Sequence, residues 1–360
     1  MLNPESDDIR QFVTDYAKVR HRYDSFAKSV AQTIETALRT RDLKVNSVTS
    51  RAKGLENLRI KLTRDQYSEL DYLQLQEEIT DLAGVRVITF FPRDVDDVAK
   101  IVEETFEVDK ENSVDKRMSA DPDRFGYASV HYVVSLDPRR QSMEYAQFQN
   151  LKCEIQIRTI LQHSWAEIEH DLGYKTTIVI PSTIRRRFSA LSALLEVADR
   201  EFQTIREEEE SLRKSVQHDV KSKRLDIPID IVSLTEYLRD KELFGAKLPG
   251  IPEDALSSLI EDMHELGIND LQTLDNLLEQ YKDDVPSVLS KLKARSAIRG
   301  SLHAAGILRI VLALSDPTGY AHVMITKKAA VSRYEKALTQ TLIAIVCEIP
   351  HGTNEKLGKA

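Results

Sequence analysis

The chain has 360 residues, of which 41% are hydrophobic and 30% are charged, so it is long enough for two soluble domains with cores of their own. Its formal net charge of −8 argues against a broad, non-specific binder of nucleic acids, which would need clustered lysine and arginine. No apolar run reaches the roughly 18 residues that a membrane span requires, and the acidic, polar N-terminus is unlike a secretion signal. We therefore expect a cytoplasmic protein with no membrane partner.

The two cysteines, Cys153 and Cys347, both lie in apolar runs. In such surroundings a buried free thiol is commoner than a disulfide or a metal ligand. We expect both to belong to the hydrophobic core.

The first 64 residues predict helices and a basic turn. Residues 8–42 carry apolar side chains at three- and four-residue intervals, which indicates one or two helices that form a flank over residues 1–45. A further helix is predicted from about Leu55. Around its start, four cations are spaced so that several could face one polyanion, although a solvated basic helix is the commoner interpretation: Arg51, Lys53, Lys61 and Arg64.

The next stretch predicts a buried strand and an amphipathic helix. Residues 85–91 are rich in β-branched and aromatic side chains, and a turn of small residues precedes them. Asp81 stands just ahead of that turn, where an aspartate is most often a simple turn residue. Residues 94–107 have helical spacing after Pro92, and the polar segment 112–124 predicts a loop.

Two more strands are predicted further on. In the strand after Gly126, Tyr127 and His131 share one face. The second strand, at residues 153–158, alternates strictly, and Thr159 is a suitable N-cap for a helix with an apolar stripe from Ile160 to Leu172. Its polar face could meet phosphate or a metal ion, although a solvated sheet face is the commoner interpretation; this face carries Glu154, Gln156 and Arg158.

The last part of the chain predicts helices only. Residues 182–216 form one long apolar-periodic helix, and the charged segment 214–228 that ends at Pro228 indicates a domain boundary. Residues 227–360 then predict short helices in a compact all-α domain. Since this part shows no metal set, nucleophile elbow or phosphate loop, we expect it to be regulatory or to bind a partner.

Four stretches, in order, resemble the synthetase domain of the RelA/SpoT family, the alarmone synthetases. They are the cation set that begins at Arg51, DLAGVR at 81–86, GYASVH at 126–131, and EIQIRT with WAEIEHDLGYK within 154–175. One such motif would be a weak signal, but four collinear motifs over about residues 45–175 are a strong one.

The resemblance implies a fold class and a set of site residues. The fold would be α/β (α+β), with a nucleotidyltransferase-like mixed sheet flanked by helices over residues 46–220, including the long helix 182–216, followed by the all-α domain 227–360. Asp81 and Glu154 would be catalytic and would hold Mg²⁺, as one or two carboxylates commonly do beside phosphates. The resemblance assigns the ATP phosphates to Arg51, Lys53, Lys61, Arg64 and Arg86. It assigns the acceptor to Tyr127, His131, Gln156 and Arg158.

The implied reaction moves the β,γ-pyrophosphate of ATP to the 3′-hydroxyl of a guanosine nucleotide, GDP or GTP. Two departures from the family's acceptor motif leave room for another acceptor: Ala128 replaces an arginine or lysine, and Phe125 replaces a frequent asparagine. The alternatives are pyrophosphorylation of the tRNA 3′ end by a toxin or phage-defence effector, and an inactive nucleotide sensor. The sequence also leaves open whether the chain forms a homo-oligomer, and whether the C-terminal domain binds a protein partner or a trigger.

Overall fold

The structure is a computed structural model, and it describes residues 6–117, 129–136, 146–174, 181–239, 253–295, 297, 304–326 and 333–349. Its contacts divide the chain into two compact units, residues 1–206 and 207–360. The division lies inside a long helix, whereas the charged segment predicts the boundary further on, at 214–228, which overlaps the end of that helix. The reason is that Val220, within the charged segment, already packs against the core of the second unit.

The first unit is built around one mixed sheet. Its elements in chain order are α1 (Asp7–Thr40), β1 (Ser47–Ala52), α2 (Leu55–Leu62), α3 (Asp65–Ser68), α4 (Tyr72–Glu78), β2 (Ala83–Thr89), α5 (Pro92–Thr105), β3 (Glu107–Asp115), β4 (Val130–Ser135), a short 3-10 helix (Ala146–Phe148), β5 (Cys153–Thr159), α6 (Ile160–Tyr174) and the first part of α7 (Ser182–Lys221). The strand order is β1-β2-β5-β4-β3. Among the described strands, β2 and β5 pair in parallel and the other neighbours are antiparallel.

The two central strands explain why one face of the sheet is apolar. Cys153, Ile155 and Ile157 of β5 are fully buried in a core that α1 and α5 complete. The side chains between them, such as Glu154, point to the opposite face, as period-2 alternation requires. The predicted mixed sheet with flanking helices is thereby confirmed.

The edge strand β3 corrects the predicted loop at 112–124. Residues 112–115 belong to β3, which pairs with β4 through a register shift between Asp109 and Val114. An edge strand has a neighbour on one side only, so polar residues such as Asn112 are tolerated, and their composition had suggested a loop. Residues 118–124 of the predicted loop lie outside the described residues.

The apolar stripe predicted on α6 is only partly buried. Ile168 and Leu172 are 56% and 54% exposed, although the helix itself and its Thr159 cap are confirmed. Spacing showed that the side chains share a face, but not whether a neighbouring element covers that face.

Helix α1 is one continuous helix that contributes side chains to two hydrophobic clusters. Its second half packs on the sheet through Phe26, Val30 and Ile34. Its first half packs on α2 and α4, where Tyr16 is buried. The Tyr16 hydroxyl lies 2.8 Å from the carbonyl oxygen of Lys53 and 3.3 Å from that of Leu82. Helix α1 therefore braces the chain at the end of β1 and at the start of β2.

The second unit consists of helices among its described regular elements. They are the end of α7, α8 (Ile231–Arg239), α9 (Glu253–Glu265), α10 (Leu271–Gln280), α11 (Asp284–Ala294), α12 (Ala304–Ser315), α13 (Pro317–Thr326) and α14 (Arg333–Cys347). Helix α12 is the most deeply buried, from Ala304 to Leu314. The expectation that Cys347 is a core residue is wrong, because its side chain is exposed at the end of α14. None of the described helices is both long and apolar enough to cross a bilayer.

Replacing Tyr16 with Phe should reduce the free energy of unfolding by about 0.5–1.5 kcal/mol, the usual net contribution of a hydrogen bond. The carbonyl oxygens of Lys53 and Leu82 lose the hydroxyl but each keeps a second donor, Arg20 Nε and the backbone N–H of Lys53. Urea denaturation of the full chain measures this loss. The matched control is Tyr23→Phe, since the Tyr23 hydroxyl makes no hydrogen bond that the described residues show and its ring packs edge-on against Tyr16. Equal effects of the two changes would contradict the bracing role.

Candidate active site

A cavity of about 230 Å³ opens on the polar face of the sheet, beside β1, β2 and β5. The strand register builds it: Gly84 of β2 pairs with Arg51 of β1 on one side and with Glu154 of β5 on the other. Because Gly84 has no side chain, the space between its two neighbours stays open. The residues around the cavity are Thr49, Ser50, Arg51, Asp81, Gly84, Val85, Arg86, Glu154 and Gln156.

Asp81 lies just before β2 and is clamped by two lysines. Lys53 Nζ donates to Oδ2 at 2.5 Å, and Lys61 Nζ donates to Oδ1 at 3.0 Å. Burial alone would raise the pKa of Asp81, but the two ammonium groups outweigh it and hold that pKa below the usual value of an aspartate. Asp81 is therefore an ionised carboxylate at neutral pH.

Glu154 is held by the two residues that pair with each other across β4 and β5. His131 Nδ1 lies 2.9 Å from Oε1, and Gln156 Nε2 donates to Oε2 at 2.9 Å. Burial raises the pKa of Glu154 and the charge of Asp81 adds to this, but the His131 contact and the Gln156 hydrogen bond together leave the pKa below its usual value. Asp81 and Glu154 line the same cavity.

A second cluster of charges lies where α6 meets the sheet. Glu167 Oε1 is 2.9 Å from Arg86 Nη1 and 3.6 Å from Arg158 Nη2. Burial, together with the positive charges of Arg158 and Arg86, lowers the pKa of His163, so its imidazole is neutral at pH 7. The sequence reasoning missed Glu167 and His163. Their i,i+4 spacing on the helix that begins right after Arg158 was the available signal.

The structure brings together most of the predicted site residues. Arg51, Asp81, Arg86, Glu154 and Gln156 line the cavity. Three more bond to its carboxylates, namely Lys53, Lys61 and His131.

Two of the described predicted residues, Arg158 and Arg64, do not line the cavity. Arg158 is only 2% exposed and faces Glu167. Arg64 is exposed at the start of α3, outside the cavity lining, because the short turn after α2 carries it away. Tyr127 lies outside the described residues.

Replacing Lys61 with Met should raise the pKa of Asp81 and cost about 1–3 kcal/mol of unfolding free energy at pH 7. A carboxylate whose pKa is depressed by folding contributes stability that is present above its unfolded pKa of about 3.9, and this contribution is lost as the pH falls through the lower folded value. The difference between wild type and variant should therefore shrink toward acidic pH, as urea denaturation at several pH values can measure.

Lys18→Met is the control for this change, because Lys18 pairs with Asp15 on the exposed side of α1. Solvent screens that exposed pair, so its loss should have a much smaller effect that is close to nil. A Lys61→Met effect that stayed constant down to pH 3 would contradict the ionic clamp on Asp81.

Comparison with known proteins places the chain in a family. Residues 50–178 match a region found in RelA/SpoT proteins. The chain is 32% identical over 165 residues to the GTP pyrophosphokinase YjbM of Bacillus subtilis, which covers 46% of this chain and 73% of that protein. It is 28% identical over 160 residues to the GTP pyrophosphokinase YwaC of the same organism, covering 44% of this chain and 72% of that protein.

Solved structures also align with part of the chain. The crystal structure of small alarmone synthetase 1 from Bacillus subtilis aligns over 54% of this chain and 97% of its own, with 24% identity and a TM-score of 0.46. A GTP pyrophosphokinase family protein from Streptococcus pneumoniae aligns with 25% identity over 54% of this chain and 94% of its own, with a TM-score of 0.44.

The fold and the cavity define an α/β protein in which two carboxylates are set among lysines and arginines. The sequence identity with YjbM extends over nearly three quarters of that relative, which is enough to assign the chain to a family. The chain belongs to the RelA/SpoT family, through the part of the first unit that the match at residues 50–178 covers.

Proposed function

We propose that the chain is a pyrophosphokinase that transfers the β,γ-pyrophosphate of ATP to the 3′-hydroxyl of GDP or GTP and releases AMP. The observation that carries this proposal is the convergence of Asp81 and Glu154, which are distant in sequence, on one cavity rimmed by cations. The identity with two GTP pyrophosphokinases supports the same reaction. ATP, GDP and GTP are cytoplasmic nucleotides, so we propose that the chain acts in the cytoplasm.

The donor phosphates would meet the cations at the rim of the cavity. Arg51 and Arg86 line it and can bind phosphate oxygens through their planar forks, whereas Lys53 and Lys61 act as point charges. In the structure the two lysines neutralise Asp81. A triphosphate carries more negative charge than one carboxylate, so it would draw the lysines toward itself and expose the oxygens of Asp81.

The two carboxylates fit a magnesium site that substrate completes. Among the described residues no group of three or more His, Cys, Asp or Glu side chains could hold a metal ion alone. Mg²⁺ is commonly held by one or two carboxylates together with phosphate oxygens and water, and Asp81 and Glu154 provide that number. When bound, such an ion neutralises charge on the transferred phosphates.

The acceptor side of the site would be organised by Glu154. Its low pKa keeps it ionised, so it can accept a hydrogen bond from the attacking 3′-hydroxyl and take its proton. His131 and Gln156 fix its two oxygens and so orient it. Arg158 is buried against Glu167, so we propose that it stabilises the site and does not contact the acceptor directly.

A tRNA acceptor is the second candidate. Three consecutive arginines, Arg185 to Arg187, are exposed in the first turns of α7. The start of α7 is tied to α6, because Trp165 Nε1 donates to the carbonyl oxygen of Phe188 at 3.2 Å. Exposed cations in a row favour contact with a nucleic-acid backbone.

Incubation of the full chain with ATP labelled in its β and γ phosphates tests these candidates together. GDP, GTP, AMP and bulk tRNA are offered in separate reactions, and we expect label on GDP or GTP. Label on tRNA alone would support the second candidate. Label on none of them would overturn the transferase and leave the inactive nucleotide sensor.

Replacing Glu154 with Gln should reduce the rate of transfer by about a hundredfold or more, since the amide can neither take a proton nor neutralise a metal ion. Circular dichroism and thermal unfolding should show an intact fold, because glutamine keeps the shape of the side chain. Glu35→Gln, on the exposed side of α1, is the matched control and should retain full activity. Wild-type activity in the Glu154 variant would refute its assigned role.

A further inference from the structure

Helix α7 buries a carboxyl group against the end of β5. Asp199 is 3% exposed, and its Oδ2 accepts a hydrogen bond from Thr159 Oγ1 at 2.7 Å. Its other oxygen, Oδ1, is buried and has no hydrogen-bond partner among the described residues. A buried polar atom without a partner is costly and calls for an explanation.

Thr159 is the joint between β5 and α6. Its backbone N–H donates to Gln162 Oε1 at 3.0 Å, and its hydroxyl accepts from the backbone N–H of Gln162 at 3.2 Å, which together cap α6. Strand β5 carries Glu154 before this joint, and α6 carries Glu167 after it. The hydrogen bond to Asp199 therefore acts on the residue at which β5 ends and α6 begins.

Asp199 sits on a part of α7 that is fixed to the same end of the sheet. One turn later, Gln203 Oε1 accepts from the backbone N–H of Arg93 at 3.4 Å. Arg206 Nη1 is 2.6 Å from the buried carboxylate of Asp94, and its guanidinium stacks 4.6 Å from the ring centre of Phe91. With α7 anchored in this way, Asp199 cannot move away from Thr159 freely when its charge changes.

We propose that Asp199 is a positioning residue for the transferase site, and that it acts through Thr159 on the placement of Arg158 and Glu167. The inference rests on the proposed function, because it concerns the same site. Asp199 would influence the site from outside the cavity. When Asp199 is ionised, its buried and uncompensated charge weakens the packing of α7 against Thr159, and when Asp199 is protonated, that packing is restored.

The electrostatic surroundings support this role. Burial raises the pKa of Asp199 to about 6, and the hydrogen bond from Thr159 opposes the shift only in part. The charged groups on the surrounding elements are engaged with one another: Arg158 and His163 with Glu167, Glu196 with Arg200, and Arg206 with Asp94. None of them neutralises Asp199, so its charge changes in the range between pH 5 and pH 7.

Replacing Asp199 with Asn tests the proposal, because asparagine keeps the shape and an acceptor for Thr159 but cannot ionise. The ratio of kcat/KM of the wild type to that of the variant removes every titration that the two proteins share. We expect this ratio to fall by about three- to tenfold as the pH rises from 5 to 8, with its midpoint near 6. Glu196→Gln, an exposed change on the same helix, should leave a flat ratio.

The fluorescence of Trp165 gives a readout that needs no activity. It is the one tryptophan of the chain, it lies on α6, and it donates to the carbonyl oxygen of Phe188 on α7. Its emission should titrate near pH 6 in the wild type and not in the Asp199→Asn variant. Thr159→Val, which removes the hydroxyl that joins the helices, should also remove the difference between Asp and Asn at position 199, whereas Thr159→Ser should keep it.

The outcomes separate the two proposals. A flat kcat/KM ratio beside a titrating Trp165 signal would make Asp199 merely structural and overturn the positioning role. A Trp165 signal that does not titrate differently in wild type and variant would overturn it as well, even in an active enzyme. Absence of transfer to every acceptor by the wild type would instead refute the proposed function.

Discussion

The parallel pairing of β2 with β5 is the constraint on which the site depends. It sets Gly84 beside Glu154 in the register, so that Asp81, which lies just ahead of β2, faces the same cavity. A shift of one residue would turn the side chain of Glu154 into the apolar core. The fully buried side chains of Ile155 and Ile157 prevent that shift, since it would move them to the polar face. The hydrophobic core thus fixes the position of the carboxylate.

Each carboxylate at the cavity and beside it has polar or cationic partners before any substrate arrives. Asp81 has two lysines, Glu154 has His131 and Gln156, and Glu167 has two arginines. Partly buried ions are tolerated only when they are paired. Binding of a polyphosphate and a cation would then proceed by exchange of partners instead of by desolvation of bare charges, which lowers the electrostatic cost of filling the site.

Much of this arrangement was readable from the sequence, because it depends on local patterns. The alternation of residues 153–158 predicted the buried and polar faces of β5. The basic residues near Leu55 were predicted as a set, and two of them, Lys53 and Lys61, pair with Asp81. Asp199 could not be found in this way, since it lies on a helix whose contacts depend on tertiary packing, and Glu167 offered only its i,i+4 spacing from His163 as a local signal. The strand at 112–115 was missed because pairing at a sheet edge overrode a polar composition typical of loops.

Helix α1 lies outside the matched residues 50–178, yet it braces the backbone beside Asp81, where Lys53 and Leu82 are also hydrogen-bonded to each other. The backbone carbonyls that it holds belong to Lys53 and to Leu82, the neighbour of Asp81. An inactivating change could therefore arise in a helix that contributes no side chain to the cavity lining. A fragment cut to the matched residues 50–178 would keep both carboxylates but lose the helix that completes both hydrophobic clusters of the first unit, so a fragment that folds would have to begin well before residue 50.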